Sequence, residues 1–397
     1  MNKIETDITE ELARLKDAGL RRVLKSIESA QGPRVRVKDA GSSKEQLLLC
    51  SNDYLGLANH PAIKEALSRG VDEYGVGAGA SRLVSGTMAP HRCLEECIKD
   101  FFSAEAALLF NSGYNANLGV ITALAGRGTE IFSDRLNHAS IVDGCILSRA
   151  KVHRYSGVES LERKLKSSKT ERRLIITEGL FSMDGNFAPL PELLGLAKKY
   201  GATLILDDAH AVGALGEYGR GTPEMLGIEA PDIIRVGTFG KAFGTFGAFV
   251  TGSSEMIELL VSKSRPFIYT TALPPALAYA SLKSLELVIA GTELRARLEE
   301  NRAQMSQGLK TAGIDTLESE SHIIPVIVGS AAKSTEVSRT LENSGLFIQA
   351  IRPPTVPEGT SRLRVTLSAA HTKEELSIAL GAITSAVDSS LTDKKGA

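Results

Sequence analysis

From Cys50 to about Ile289, short apolar runs alternate with stretches of helical periodicity. The runs cover residues 106–110, 130–132, 151–155, 174–177, 203–206, 233–236 and 247–250. That rhythm is the signature of βαβ units, so it predicts a seven-stranded, mainly parallel sheet with helices on both faces. The resulting α/β domain spans residues 50–289. After Glu293 the texture changes to a long helix (294–309), a strand (323–328), a helix (334–343), two strands (346–351 and 362–367) and a last helix (373–387). A smaller α+β domain is expected over residues 290–397. Residues 1–49 predict an N-terminal helix and a first strand. The helix is expected from Asp7 to about Ser29, opened by the capping pair Asp7 and Glu10. Leu12, Leu15, Val23 and Ile27 form its apolar stripe, and Arg21 and Arg22 lie on it. The tail, residues 393–397, is expected to fray.

Two of the predicted strands end on chemistry. Leu204-Ile205-Leu206-Asp207-Asp208-Ala209-His210 carries an apolar run into a carboxylate, and Ile233-Ile234-Arg235-Val236-Gly237 leads to Thr238-Phe239-Gly240-Lys241. A buried carboxylate and a lysine at neighbouring strand ends are what pyridoxal 5'-phosphate (PLP) requires. The lysine forms the Schiff base, and the acid pairs with the pyridinium nitrogen. At about 4 Å and an effective dielectric near 20, that pairing is worth roughly 4 kcal/mol, or about three pKa units on the ring nitrogen. The ring then stays protonated and accepts electrons. Alone, such a lysine is more often a surface residue and such an aspartate a helix cap. Their shared position at the ends of apolar strands argues against that reading.

Other strand ends supply polar groups to the same edge, where open α/β sheets bind ligands. Asn111-Ser112-Gly113-Tyr114-Asn115 follows the run 106–110 and leads into a helix expected over 117–124. Its small residues and helix N-terminus suit a phosphate, although as a turn it would pass for an ordinary connection. Asn137-His138-Ala139-Ser140 places an imidazole where it can stack on a pyridine ring rather than merely cap a helix. Thr177-Glu178-Gly179-Leu180-Phe181-Ser182-Met183-Asp184-Gly185 leaves another strand end, and His210 lies within reach of the cofactor's phenolic oxygen. Arg352, in Ala350-Ile351-Arg352-Pro353-Pro354-Thr355, is a candidate fork for an amino-acid carboxylate, the alternative being a surface arginine before a rigid loop. Two glycine-rich runs do not carry nucleotide motifs. Gly75-Val76-Gly77-Ala78-Gly79-Ala80 follows a helical stretch rather than a strand, and Gly237 to Ala242 lacks both the spacing and the Ser or Thr of a P-loop.

Composition narrows the class further. The chain has 397 residues, with 46 basic against 47 acidic side chains, so nothing marks a nucleic-acid partner. The most apolar long window, 272–291, is broken by Pro274-Pro275, Lys283 and Glu286 and reads as a packed helix rather than a membrane span. Met1-Asn2-Lys3 followed by acids lacks the apolar core of a secretory signal, so a cytoplasmic protein is expected. Cys93 and Cys97, with His91, offer three donors without a fourth. No metal site is expected, and Cys50, Cys93, Cys97 and Cys145 are read as buried free thiols.

Taken together, Ser51-Asn52-Asp53-Tyr54-Leu55-Gly56-Leu57, Asn137-His138-Ala139-Ser140, the Glu178 to Gly185 segment, Asp207-Asp208-Ala209-His210 and Thr238-Phe239-Gly240-Lys241 resemble the α-oxoamine synthases over nearly the whole chain. These are fold-type-I PLP enzymes that join an amino acid to an acyl thioester with loss of CO2. The run from Ala350 to Arg364 is most similar to the branch that condenses L-alanine with a pimeloyl thioester in biotin synthesis. The resemblance implies that Lys241 carries the cofactor and moves protons at the substrate α-carbon. It pairs Asp207 with the pyridinium nitrogen, stacks His138 on the ring, and places His210 and Ser182 at the phenolic oxygen. Gly113, Tyr114 and Thr238 would line the phosphate. Arg352 would grip the amino-acid carboxylate, with Arg21 and Thr355 as acyl-substrate contacts. It also implies a homodimer with the turn at 75–86 near the interface, and CoA or a carrier-protein thiol as leaving group. Rival readings within the family use glycine or serine, as in 2-amino-3-ketobutyrate ligase or serine palmitoyltransferase. A plain aminotransferase fits less well, and a PLP-binding regulatory protein without turnover is the rival from another class.

Overall fold

The computed structural model describes residues 2–39, 42–229 and 232–392. The chain forms two compact units, one of Asn52–Ser182 and Asn186–Ala296, the other of Met1–Ser51, Met183–Gly185 and Arg297–Ala397. The residues expected to fray, 393–397, lie outside those described.

The first unit is built on a seven-stranded sheet. Its strands lie in the order Ala106–Phe110, Ala248–Gly252, Ile234–Thr238, Ala202–Asp207, Arg173–Glu178, Glu130–Asp134 and Lys151–Tyr155. Only Ala248–Gly252 runs against its neighbours. The apolar runs are continuous because both faces are covered, and the two-residue period divides them. Ile131, Leu174, Ile176 and Ile205 enter one core with Ala116, Val120 and Ile121 of the helix Gly113–Leu124. Phe132, Ile175, Leu204 and Leu206 enter the other with Leu193 and Leu196 of the helix Leu190–Tyr200. Each such side chain contributes on the order of 1.5–3 kcal/mol when fully buried. The register pairs Glu178 with Asp207 and Asp207 with Val236, which sets the strand ends side by side.

The second unit holds two three-stranded sheets. One joins the hairpin Arg34–Asp39 and Ser42–Leu48 to Leu346–Phe347, so the N-terminal segment groups with the C-terminal one. The other joins Ile323–Gly329, Ser361–Thr366 and Ala350–Ile351. The run 346–351, read as a single strand, is therefore divided between two sheets. Its first half pairs with the hairpin, and Ala350–Ile351 pairs with Ser361–Thr366.

The first helix spans Lys3–Asp17, not residues 7–29. The capping box is Asn2 and Glu5: Glu5 N donates to Asn2 Oδ1 at 3.0 Å and Asn2 N to Glu5 Oε2 at 2.8 Å. Gly19, at φ 66°, ends it, so Arg21 and Arg22 lie beyond the helix, and Ile27 bridges to Val37 instead. Its stripe of Ile4, Ile8 and Leu12 is exposed. The expectation of four buried thiols is also corrected. Cys145 is buried and Cys50 half-buried, but Cys93 and Cys97 are exposed. They lie on the outer face of the helix Ala89–Phe102, whose His91, Leu94, Glu95 and Ile98 fill the inner face. The window 272–291 contains the helix Pro275–Ile289, and among the described residues no helix is long and apolar enough to cross a membrane.

Candidate active site

Five of the connections that leave one edge of the sheet carry the candidate side chains. Phe110 and Thr238 both pair with Ala248, and Asp207 lies between Glu178 and Val236, so these ends are in line. The connections carry Ser112-Gly113-Tyr114, Asn137-His138, Glu178 to Ser182, Asp207 to His210, and Thr238 to Lys241.

Asp207 is 7% exposed and its carboxylate accepts from two neutral donors. Asn117 Nδ2 donates to Oδ2 at 2.7 Å, and Ala209 N donates to Oδ1 at 3.1 Å. Asn117 Nδ2 also donates to Ser140 Oγ at 2.9 Å, which ties the helix Gly113–Leu124 to the start of Ala139–Ser148. His138 caps that second helix: Ser140 N donates to its Nδ1 at 3.2 Å. Burial pulls its pKa below the usual histidine value, with Asp207 opposing and Lys241 adding to the shift. Asn137 staples two strands, donating to Ser133 Oγ at 3.0 Å and to Ile176 O at 2.8 Å, while Glu178 N donates to its Oδ1 at 3.0 Å.

Glu178 is 2% exposed. Ser182 N donates to its Oε2 at 3.2 Å, and its buried Oε1 has no hydrogen-bond partner among the described residues. Burial first, then the Asp207 charge, pushes its carboxyl up to about 8 against the pull of Lys241. Thr238 Oγ1 donates to Gly247 O at 2.9 Å and accepts from Gly240 N at 3.1 Å, which shapes the turn bearing Lys241. His210 Nδ1 lies 2.6 Å from the hydroxyl of Tyr54.

The helix expected from residue 117 begins at Gly113, capped by Ser112, whose Oγ accepts from Asn115 N at 3.2 Å. Gly113 and Tyr114 therefore form its first turn, where backbone N–H groups have no partner within the helix. A Cβ placed on Gly113 would meet nothing within 4 Å, so the helix start opens on free space. The Tyr114 hydroxyl donates to Asp143, and its ring meets His138 edge-on at 6.4 Å.

Arg21, Arg352 and Thr355 belong to the other unit. There Arg352 Nη1 donates to Gly19 O and, at 3.2 Å, to Thr335 Oγ1. Arg22, rather than Arg21, donates to Thr355 Oγ1 at 3.2 Å. Arg21 is exposed. The tip Met183–Gly185 of the Glu178 segment also groups with this unit, where Asp184 pairs with Arg362.

Sequence reasoning assigned no role to Asn117, Glu178 or Tyr54. Glu178 closes an apolar strand beside the Asp207 strand, the same signal that singled out Asp207. Asn117 lies one turn into a helix that covers the sheet, and its placement needed the helix start to be known.

The donor set fits PLP: a buried carboxylate, an imidazole whose pKa burial lowers, a lysine in the turn after the neighbouring strand, and a helix start opening on free space. This sheet and its strand-edge site define a fold-type-I PLP-dependent transferase. The chain matches the family Aminotransferase class I and II over residues 44–383. It is 50% identical over 380 residues to the 8-amino-7-oxononanoate synthase of Geotalea daltonii, covering 94% of this chain and 96% of that one. The enzyme of the same name from Geobacter sulfurreducens is 50% identical over 381 residues, covering 95% and 96%. Among solved structures, a serine palmitoyltransferase from S. paucimobilis with a bound PLP–myriocin aldimine superposes with a TM-score of 0.92 at 31% identity, covering 99% and 100%. The 8-amino-7-oxononanoate synthase of Francisella tularensis superposes at 0.76 with 29% identity, covering 87% and 98%. The chain belongs to the 8-amino-7-oxononanoate synthase family within the class I and II aminotransferases, and its cofactor is PLP.

Proposed function

We propose that the chain condenses L-alanine with pimeloyl-CoA, or a pimeloyl carrier protein, to give 8-amino-7-oxononanoate, the free thiol and CO2 in biotin synthesis. The observation that carries this reading is identity near 50% over almost the full length of relatives bearing that name. The site supplies the chemistry the reaction needs. When bound, PLP provides an electron sink for the charge left at the amino acid's α-carbon.

The chain's own residues do the rest. Asp207, held by Asn117 and Ala209, keeps a proton on the pyridine nitrogen. His138, held neutral by burial, offers its ring face to the cofactor. His210 and Ser182 serve the phenolic-oxygen side, and the helix start at Gly113 and Tyr114, with Thr238, serves the phosphate. Lys241 carries the cofactor and moves the proton at the substrate α-carbon. Arg352 takes the substrate carboxylate, and Arg21 and Thr355 the acyl chain. The working form is a cytoplasmic homodimer. Light scattering tests it, and a fully active monomer would refute it.

The reaction is tested by thiol release from pimeloyl-CoA with alanine, glycine and serine side by side. Alanine is expected to exceed glycine by about tenfold or more, the worth of one methyl contact in a pocket. A clear preference for glycine or serine would assign the chain to another branch of the family. No thiol release with any of the three would refute the condensation.

A further inference from the structure

The start of the helix Ala139–Ser148 is capped by a ring rather than by an oxygen. His138 is the N-cap residue, and Ser140 N, the second helical amide, donates to its Nδ1 at 3.2 Å. The Ser140 hydroxyl lies 2.8 Å from the same nitrogen, and Ser140 is wholly buried. On its other side that hydroxyl accepts from Asn117 Nδ2 at 2.9 Å, while the second hydrogen of the same NH2 group goes to Asp207 Oδ2 at 2.7 Å. Reversing the Asn117 amide would set its Oδ1 against the Asp207 carboxylate, two acceptors in contact, so the NH2 group faces both partners.

The direction of each hydrogen then follows. A backbone N–H only donates, so Nδ1 accepts and carries no hydrogen. Ser140 Oγ, which already accepts from Asn117, turns its own hydrogen to Nδ1. The partner of one ring nitrogen decides the state of the other. We propose that Ser140 is a positioning residue: with its amide and its hydroxyl it closes Nδ1 of His138 and holds the ring neutral, its single hydrogen at Nε2. Charging the ring would put a hydrogen on Nδ1 against the Ser140 N–H and undo the cap. Asp207 and Asp143 favour the charged ring, whereas burial and Lys241 oppose it, so the capping bonds add to the side that prevails. Resting on the cofactor role given above for His138, it means that Nε2 meets the substrate as a donor. It can hold a substrate oxygen but cannot take a proton, so the α-proton falls to Lys241 and not to His138.

Nitrogen-15 NMR of histidine-labelled protein without PLP reads the ring, with His138→Gln identifying its signals. Wild type is expected to show Nε2 protonated, Nδ1 bare, and a ring still neutral near pH 6.5, the ordinary midpoint of histidine. Ser140→Ala keeps the amide and loses the hydroxyl, so the neutral ring loses one hydrogen bond. Its protonation should become about fivefold easier, a midpoint about 0.7 of a unit higher, the worth of one net hydrogen bond of about 1 kcal/mol. Ser140→Thr, which keeps the hydroxyl, should return the midpoint to that of wild type, a recovery that packing alone would not give. A wild-type ring with its hydrogen at Nδ1, or one half charged near pH 6.5, overturns the proposal. So does a folded Ser140→Ala protein, checked by melting, whose midpoint equals that of wild type. Adding PLP gives a separate readout. Ring signals that shift support the stacked position of His138. Signals that stay in place, with the Ser140 effect intact, would uphold the positioning role and remove His138 from the cofactor.

Discussion

Replacing Asp207 by asparagine separates charge from shape at the centre of the site. The side chain is 7% exposed, so a charge partner beside it is weakly screened. At about 4 Å and an effective dielectric near 20, the lost attraction is about 4 kcal/mol, or about three pKa units on a pyridine nitrogen. The protonated fraction at neutral pH then falls by up to about a thousandfold, and α-proton exchange should fall by about 10²- to 10³-fold. The fold should feel a smaller effect. Both carboxylate oxygens accept, one from Asn117 Nδ2 and one from Ala209 N. An amide has one oxygen, so one of those donors would face an NH2 group, at a cost of about 1–3 kcal/mol. The variant should thus melt somewhat lower while still binding PLP. The assay is loss of the alanine α-proton signal in D2O, followed by NMR on PLP-loaded protein. Unchanged exchange in a folded, PLP-bearing Asp207→Asn protein would refute the pairing.

The wild-type protein should be yellow after incubation with PLP, whereas Lys241→Ala should lose turnover and still fold; a colourless wild type would contradict the role of Lys241. Glu178, about 8 folded against 4.5 as its ordinary value, binds a proton in the native state that the unfolded chain has lost, so stability should fall as pH rises from about 4.5 to about 8. Glu178→Gln without PLP should match wild type near the acid end and melt higher at the alkaline end, a gap on the order of a few kcal/mol, and parallel melting curves would count against the shift. Gly221 sits at φ 88° with its absent Cβ 2.0 Å from Asp208 Oδ2, so Gly221→Ala should destabilise by about 1–3 kcal/mol, read by urea unfolding, and a neutral result would mean that the loop yields.

Asp207 and Lys241 stand out in the sequence, because an acid or a lysine closing an apolar run breaks a pattern, and Glu178 carries the same signal although no role was read from it. The seven runs were legible for the same reason, yet their order across the sheet was not, since a run's composition does not name its neighbour. The side chains that hold the site are neutral and distant in the chain. Asn117 is 90 residues from Asp207, and Tyr54 is 156 residues from His210. No local periodicity connects such pairs. The first helix failed differently. Asp7 and Glu10 have the spacing of a capping box, but Asn2 and Glu5 have it too, and Gly19 stops the helix before Val23 and Ile27 can join the stripe.

Asp207 and Asp208 show how far the strand period alone could have gone. As neighbours at a strand end they offer two candidate carboxylates with nothing in the letters to choose between them. Alternation decides. Ile205 enters the core shared with the helix Gly113–Leu124, and Asp207, two residues on, faces Asn117 of that same helix. Leu204 and Leu206 enter the opposite core, and Asp208 follows them away from Asn117. There it accepts from Thr222 N at 2.9 Å and from the Thr222 hydroxyl, with Arg235 lowering a pKa that burial raises. The second carboxylate thus anchors the segment that returns to Thr222, against Gly179 and Gly221, where any Cβ would strike its oxygens. One acid is left to face the helix whose start opens on free space, while the other fixes the loop that carries His210. The division of labour between two identical residues follows from a period of two.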